Sequence, residues 1–150
     1  MSGKAGKSLE TLAEIKAIDE RAAAELLGAA RDRLEGERLK LTTVQRYLIE
    51  YSVERTGAGS QARLLLDRQR FRLQLERSVE AQLAAVERAR ARVEAARAHW
   101  AAVRAEREAM QKLVERREAV EVRRATQADQ RQSDEQALGR ATKVDAPPAA

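Results

Sequence analysis

The 150-residue chain lacks the residue types on which compact catalytic domains depend. It has no cysteine, which excludes disulfides and thiolate metal sites. It has one Phe, one Trp and two Tyr, too few bulky side chains for an ordinary globular core. No apolar run approaches the roughly 20 residues of a membrane span, and the charged N-terminus lacks a signal-peptide core. We therefore expect a cytoplasmic chain without direct insertion into a membrane.

Proline is almost absent as well, and this absence favours long helices. Only Pro147 and Pro148 occur, so no proline interrupts a helix before the C-terminus. Charged residues make up 35% of the chain, as in coiled coils. One clear interior break remains, at 56–60 (Thr-Gly-Ala-Gly-Ser), where two glycines destabilise a helix by about 1 kcal/mol each.

Apolar residues on both sides of this break recur at alternating spacings of three and four, which predicts a coiled-coil seam. The predicted fold is all-α, a long antiparallel two-helix coiled coil (α-hairpin) with unequal arms. We expect a flexible N-terminus at 1–7, a first helix at 8–55 capped by Ser8, a Gly-rich turn at 56–60, a second helix at 61–140 and a disordered tail at 141–150. One continuous helix that dimerises is the alternative.

The spacing also predicts which residues form the seam and how the arms pair. The first helix supplies Leu12, Ile15, Asp19, Ala23, Leu26, Ala30, Leu34, Glu37, Leu41, Val44, Leu48 and Tyr51. The second supplies Leu75, Val79, Gln82, Val86, Ala89, Val93, Ala96, Trp100, Val103, Arg107, Met110 and Val114. A turn near residue 58 places Tyr51 opposite Leu65 and Leu9 opposite Arg107, and leaves the chain from about 108 onward without an intramolecular partner.

Three of the four aromatic residues, Tyr47, Tyr51 and Phe71, fall near the predicted turn. A two-helix seam hides only a narrow line of side chains, so Tyr47 and Phe71 should be partly exposed. Exposed aromatic and aliphatic side chains with a polar rim are typical of a protein-binding hot spot. The alternative is that these rings only cap the end of the seam.

Catalytic, metal and nucleic-acid sites are not indicated. His99 is the only histidine and has no histidine or cysteine partner. No phosphate-binding glycine motif occurs, and a two-helix seam offers no enclosed pocket for acid–base chemistry. The basic run at Arg88, Arg90 and Arg92 is flanked by Glu87 and Glu94, unlike the unbroken basic stripe of DNA-binding segments. We expect no enzyme activity, no cofactor, no metal and no nucleic-acid partner.

Five features of the chain are distinctive when taken in order. They are Ala-Ala-Glu-Leu-Leu-Gly at 23–28, Tyr47-Leu48-Ile49-Glu50-Tyr51, the Phe71-x-x-x-Leu75 start of the second helix, Trp100, and Leu113-Val114-Glu115-Arg116-Arg117. Together they resemble the flagellar type III export protein FliJ family. The late Asp134-Glu135 with Ala137 is a weaker match. The resemblance covers roughly residues 9–140.

The resemblance implies a coiled-coil stalk of the cytoplasmic export ATPase complex at the inner membrane. Such a stalk inserts one end into the export ATPase hexamer, promotes its assembly, and binds the cytoplasmic domain of the export-gate membrane protein and the export chaperones. The end with both termini, including 104–135, would face the ATPase. The implied gate-binding stripe is Lys40, Val44, Tyr47, Tyr51, Phe71, Leu75, Ser78 and Gln82. Of these, Lys40, Val44, Ser78 and Gln82 depart from the commoner family side chains.

Two alternatives to this function are the equivalent stalk of a virulence-type injectisome and a generic coiled-coil scaffold or homodimer. The paired tyrosines and the Leu-Val-Glu-Arg-Arg segment favour the flagellar branch.

Overall fold

The computed structural model describes residues 2–53 and 62–144, which form two long α-helices. Helix α1 spans Ser2–Val53 (52 residues) and helix α2 spans Ala62–Val144 (83 residues). No strand occurs within these two ranges. Contacts run antiparallel, since Tyr51 contacts Phe71 while Glu37 contacts Gln82. The predicted all-α fold of two packed helices with unequal lengths is confirmed.

Local interactions within each helix satisfy polar side chains but add little stability. Hydroxyl groups of Thr and Ser bond to the carbonyl one turn earlier, as from Thr42 to Arg38 at 3.0 Å and from Ser52 to Leu48 at 2.7 Å. Oppositely charged side chains pair along the surface, as in Arg72–Glu76 at 3.0 Å. Each such exposed pair is worth about 0.3–0.5 kcal/mol. Most of the helical stability must therefore come from packing between the helices.

The helix ends differ from those expected. Helix α1 begins at Ser2 instead of Ser8, so Ser8 is an interior residue and not an N-cap. Gly3 and Gly6 cost only about 1 kcal/mol each inside a helix, and no proline stops it there. Helix α2 continues to Val144, four residues into the expected tail. The predicted turn at 56–60 and residues 145–150 lie outside the described residues.

Residues 18–105 form one of two compact units, and its core lies between the two helices. Leu27 and Leu34 of α1 cluster with Val86, Ala89 and Val93 of α2. Around this cluster pack four partly buried residues, Ala30, Leu41, Ala96 and Trp100. The Arg104 guanidinium lies 5.2 Å from the centre of the Trp100 ring. Trp100 therefore occupies the predicted seam, and the seam assignment for α2 is confirmed from Leu75 to Val103.

The predicted seam of α1 is wrong in its N-terminal part. Leu26 is 61% exposed whereas Leu27 is only 6% exposed, and Asp19 is exposed. From Ala23 the buried line runs through Leu27 to Ala30, which is also an alternation of four and three. Because Leu26 and Leu27 are adjacent leucines, either one can occupy the seam position between Ala23 and Ala30, and the spacing in α1 does not distinguish them. Packing against Val93 and its neighbours on α2 selects Leu27.

The different exposure of Leu26 and Leu27 predicts that their substitution by Ala lowers the free energy of unfolding by different amounts. Leu27→Ala should lower the free energy of unfolding by about 2 kcal/mol, at the low end of leucine truncations in cores, because a two-helix seam is shallow. Leu26→Ala should change it by less than about 0.5 kcal/mol, as at other surface positions. Urea unfolding followed by far-UV circular dichroism measures both. Equal losses at the two positions would contradict the observed phase.

The second compact unit joins residues 1–17 with 106–150, of which 2–17 and 106–144 are described. The Lys16 ammonium lies 2.7 Å from the Glu106 carboxylate and bridges the helices. Leu9 and Ala13 are partly buried, whereas the predicted seam residues Leu12 and Ile15 are exposed. On α2 the partly buried residues follow the predicted spacing and extend it by one position, at Arg107, Met110, Val114 and Arg117.

The register of pairing is shifted from the predicted one. The Tyr51 ring packs on Phe71, not Leu65, and Lys16 meets Glu106, where Leu9 was expected opposite Arg107. This shift, together with the earlier start of α1, gives α2 intramolecular cover as far as Arg117. The fully exposed part of α2 therefore spans 118–144, and the predicted boundary at 108 is corrected.

Candidate protein-binding surface

An edge-to-face contact between Tyr51 and Phe71 organises the predicted binding surface in the unit 18–105. The ring centres are 4.7 Å apart and the ring planes meet at 62°, a favourable aromatic geometry. Tyr51 is half-buried as the last described seam residue of α1, while Phe71 is 45% exposed. This contact fixes the relative position of the two helices here and leaves one face of Phe71 accessible.

Tyr47 extends the aromatic surface along α1. Its side chain is 53% exposed, one turn before Tyr51, and the Arg46 guanidinium lies 5.9 Å from its ring centre. A shallow groove of about 350 Å³ is lined by Tyr47, Glu50, Tyr51, Phe71 and Leu75. The predicted exposure of Tyr47 and Phe71 is confirmed. We refer to the groove lined by Tyr47, Glu50, Tyr51, Phe71 and Leu75 as the aromatic groove.

The remaining predicted contact residues lie further along the helices and mostly make internal contacts. The Lys40 ammonium lies 3.1 Å from the Glu37 carboxylate, and the Ser78 hydroxyl donates to the Gln74 carbonyl at 3.0 Å. Lys40 and Ser78 are exposed, and Val44 is half-buried. The structure thus brings Tyr47, Tyr51, Phe71 and Leu75 into one groove and keeps the polar members of the stripe outside it.

Gln82 has a structural role that connects the two helices. Its side-chain amide donates to the Glu37 carbonyl oxygen at 3.0 Å and also to the Glu37 carboxylate. The hydrogen bond from Gln82 to the carboxylate, followed by that from Lys40, lowers the pKa of Glu37 below its ordinary value. Gln82 is a register contact across the seam as well as a predicted partner contact.

Sequence reasoning missed a second depression that shares Tyr51 with the aromatic groove. It has a volume of about 300 Å³ and is lined by Tyr51, Leu65, Arg68, Gln69 and Arg72. The consecutive leucines 64–66 were the available signal, because three adjacent apolar residues cannot all face one seam.

The exposed end of α2 carries a different surface in the unit formed by 1–17 and 106–150. Every described residue from 118 to 144 is exposed, including Val120, Val122 and Leu138. A depression of about 300 Å³ near its start is lined by Arg116, Arg117, Val120, Glu121 and Arg124. Apart from scattered aliphatic residues, this surface is polar on all sides, which is typical of a helix that needs a partner to remain ordered.

The described residues 2–53 and 62–144 contain neither a grouped set of metal ligands nor a membrane span. In these ranges no three His, Asp or Glu side chains are placed to hold a metal ion together. Neither described helix contains a stretch both apolar and long enough to cross a bilayer.

Comparison with known proteins places the chain in a family. The family model described as flagellar FliJ protein matches residues 6–143, which is most of the chain. No curated protein matches the sequence. The matched range includes both described helices almost entirely, the aromatic groove and the exposed end of α2. The chain therefore belongs to the flagellar FliJ protein family and is a flagellar export-related protein.

Proposed function

We propose that the protein is a non-enzymatic stalk of the flagellar export apparatus that binds the export ATPase ring and the cytoplasmic domain of the export-gate membrane protein. In this role it promotes assembly of the ATPase hexamer, couples the ring to the gate and escorts export chaperones. Membership of the FliJ family supports this proposal. The location that follows is the cytoplasmic face of the inner membrane, with peripheral attachment to the export apparatus.

The aromatic groove is the observation that carries the gate contact. Two tyrosines and a phenylalanine meet in one accessible groove, and tyrosine is among the residues enriched in binding hot spots. The ring contact between Tyr51 and Phe71 fixes these side chains in the free protein. A partner therefore loses little side-chain entropy when it binds there. Lys40, Val44, Ser78 and Gln82 would form the polar and half-buried margin of the same surface.

The exposed end of α2 is the proposed contact with the ATPase ring. Every described residue in 118–144 is exposed, and a single helix in water is marginal without a packed face. Insertion into a ring would provide that packing. The arginines and glutamates on this segment would pair with charges of the ring, which favours fast and oriented association.

Direct binding to both partners tests the proposal. Purified full-length chain should co-purify with the export ATPase and, separately, with the isolated cytoplasmic domain of the export-gate protein from the same bacterium. It should also increase ATP hydrolysis by promoting hexamer assembly. The equivalent ATPase and gate domain of a virulence-type injectisome provide the matched control, which should bind more weakly. Absence of binding to both flagellar proteins would refute the proposal.

A further inference from the structure

The start of α2 carries an amphipathic face that the aromatic groove does not use. At 100° per residue, Leu65, Leu66 and Leu73 fall within a sector about 100° wide. All three side chains are more than half exposed. The sector lies on the side of α2 away from the predicted gate-binding stripe. These leucines form an apolar surface, which we call the leucine face, and it adjoins the aromatic groove only through the depression that Leu65 shares with Tyr51.

Arginines border the leucine face on both sides. Arg72 lies on one border, and Arg63, Arg70 and Arg77, spaced at seven residues, form a line along the other. Residues 62–78 contain five arginines against two acidic residues. Glu76 falls within the same sector, and its carboxylate pairs with Arg72 at 3.0 Å. Asp67 lies on the opposite side of the helix.

Among the described residues 2–53 and 62–144, none covers the leucine face enough to bury it. Arg63, Arg70 and Arg77 are exposed, and no ion pair engages them within 2–53 and 62–144. The connecting sequence 54–61 contains no Leu, Ile, Val, Met or aromatic residue, so it has no bulky apolar side chain with which to cover the leucines. The face therefore combines accessible apolar area with positive charge that is not compensated in the described chain.

We propose that this face adsorbs on the surface of an anionic lipid bilayer. The leucines would enter the headgroup region while the arginine stems lie along the apolar boundary and their guanidinium groups bind lipid phosphates. The arginines also gain from the negative surface potential of such a membrane. The contact is peripheral, because a segment with five arginines cannot span a bilayer. It goes beyond the expectation of no direct membrane insertion, which rested on the absence of a spanning segment.

Co-sedimentation of the full-length chain with vesicles tests this proposal. The chain should bind vesicles that contain phosphatidylglycerol in phosphatidylcholine and should not bind vesicles of phosphatidylcholine alone. Binding should weaken as salt is raised, because salt screens the attraction. The combined change Arg63→Gln, Arg70→Gln and Arg77→Gln should weaken binding by roughly 100-fold, since each basic residue contributes about one factor of five. The combined change Leu65→Ser, Leu66→Ser and Leu73→Ser should also weaken it by roughly tenfold or more.

Two matched variants control for nonspecific effects. Ile18→Ser with Leu26→Ser changes equally exposed apolar residues elsewhere in the same unit, and Arg88→Gln with Arg92→Gln removes exposed positive charge from the same helix. Both should bind anionic vesicles as the parent chain does, with unchanged helicity by circular dichroism. Equal loss with the control arginines would overturn the proposal, because general positive charge would then explain adsorption. Absence of binding to either kind of vesicle would also overturn it and would assign the leucine face to an acidic protein helix instead.

The proposal is independent of the proposed gate contact. The change Tyr47→Ala alters the aromatic groove outside the depression shared by Tyr51 and Leu65, and it should leave vesicle binding unchanged. The leucine variant should leave binding of the soluble gate domain unchanged. Failure of one proposal therefore leaves the other standing.

Discussion

The combined change Tyr47→Ala, Tyr51→Ala and Phe71→Ala should weaken binding of the isolated gate domain by about 100-fold or more. Truncation of a single hot-spot residue typically costs at least about 2 kcal/mol of binding free energy, and the losses are not additive. The three rings line one groove, and their removal leaves Leu75 as its only large apolar side chain. Isothermal titration calorimetry with the purified gate domain measures the change.

Fold integrity must be separated from binding in this experiment. Tyr51 is half-buried and contacts Phe71, so their removal should lower helix stability locally. Tyr47 is the cleaner position, because its ring is more than half exposed. Tyr47→Ala alone should weaken binding while thermal unfolding stays the same. Ile18→Ala with Leu26→Ala is the matched control, because it removes exposed aliphatic surface outside the groove. Unchanged affinity of the triple variant would remove the assignment of the groove to the gate.

Truncation after Arg117 should abolish stimulation of the export ATPase while the rest of the chain remains folded. This truncation removes the fully exposed part of α2 and retains Met110 and Val114, the partly buried residues of its unit. Because every described residue of 118–144 is exposed, its loss should change the unfolding midpoint little. Steady-state ATP hydrolysis at several ATPase concentrations, with and without the truncated chain, measures the effect.

Two further truncations test whether the proposed ATPase-binding segment begins at residue 118. A chain that ends at Val144 lacks only 145–150 and should stimulate the ATPase fully. A chain that ends at Arg107, the boundary expected from sequence alone, should lose stimulation and also part of its stability, because Met110 and Val114 are removed. Full stimulation by the chain that ends at Arg117 would show that the exposed helix is not the ATPase contact.

Sequence periodicity predicted α2 better than α1, and the reason lies in the residues themselves. On α2 the branched residues Val79, Val86 and Val93 recur at intervals of seven, which fixes one phase of the seam even though Leu83 lies beside the polar Gln82. On α1 the neighbours Leu26 and Leu27 fit two phases equally well. Only contact with the opposite helix selects between them, and such contact is not encoded in the spacing of one helix.

The exposure of residues in the candidate site could be predicted from the sequence, whereas their contacts with the opposite helix could not. The exposure of Tyr47 and Phe71 followed from the narrowness of a two-helix seam, which requires no register. The contacts between Tyr51 and Phe71 and between Gln82 and Glu37 do require it, and the predicted register was several residues out. The separate role of Gln82 across the seam could therefore not be predicted from its spacing.

The hydrogen bonds between Gln82 and Glu37 have a mechanical consequence. A seam of apolar side chains alone specifies the register weakly. One helix can shift along the other by a whole heptad and still pack apolar residues against apolar residues. Polar groups in such a seam must find their partners, and they do so at a single alignment. In the unit 18–105 the hydrogen bonds between Gln82 and Glu37 oppose sliding of one helix along the other. A pull or twist applied to one helix is then passed to the other instead of being dissipated by slippage.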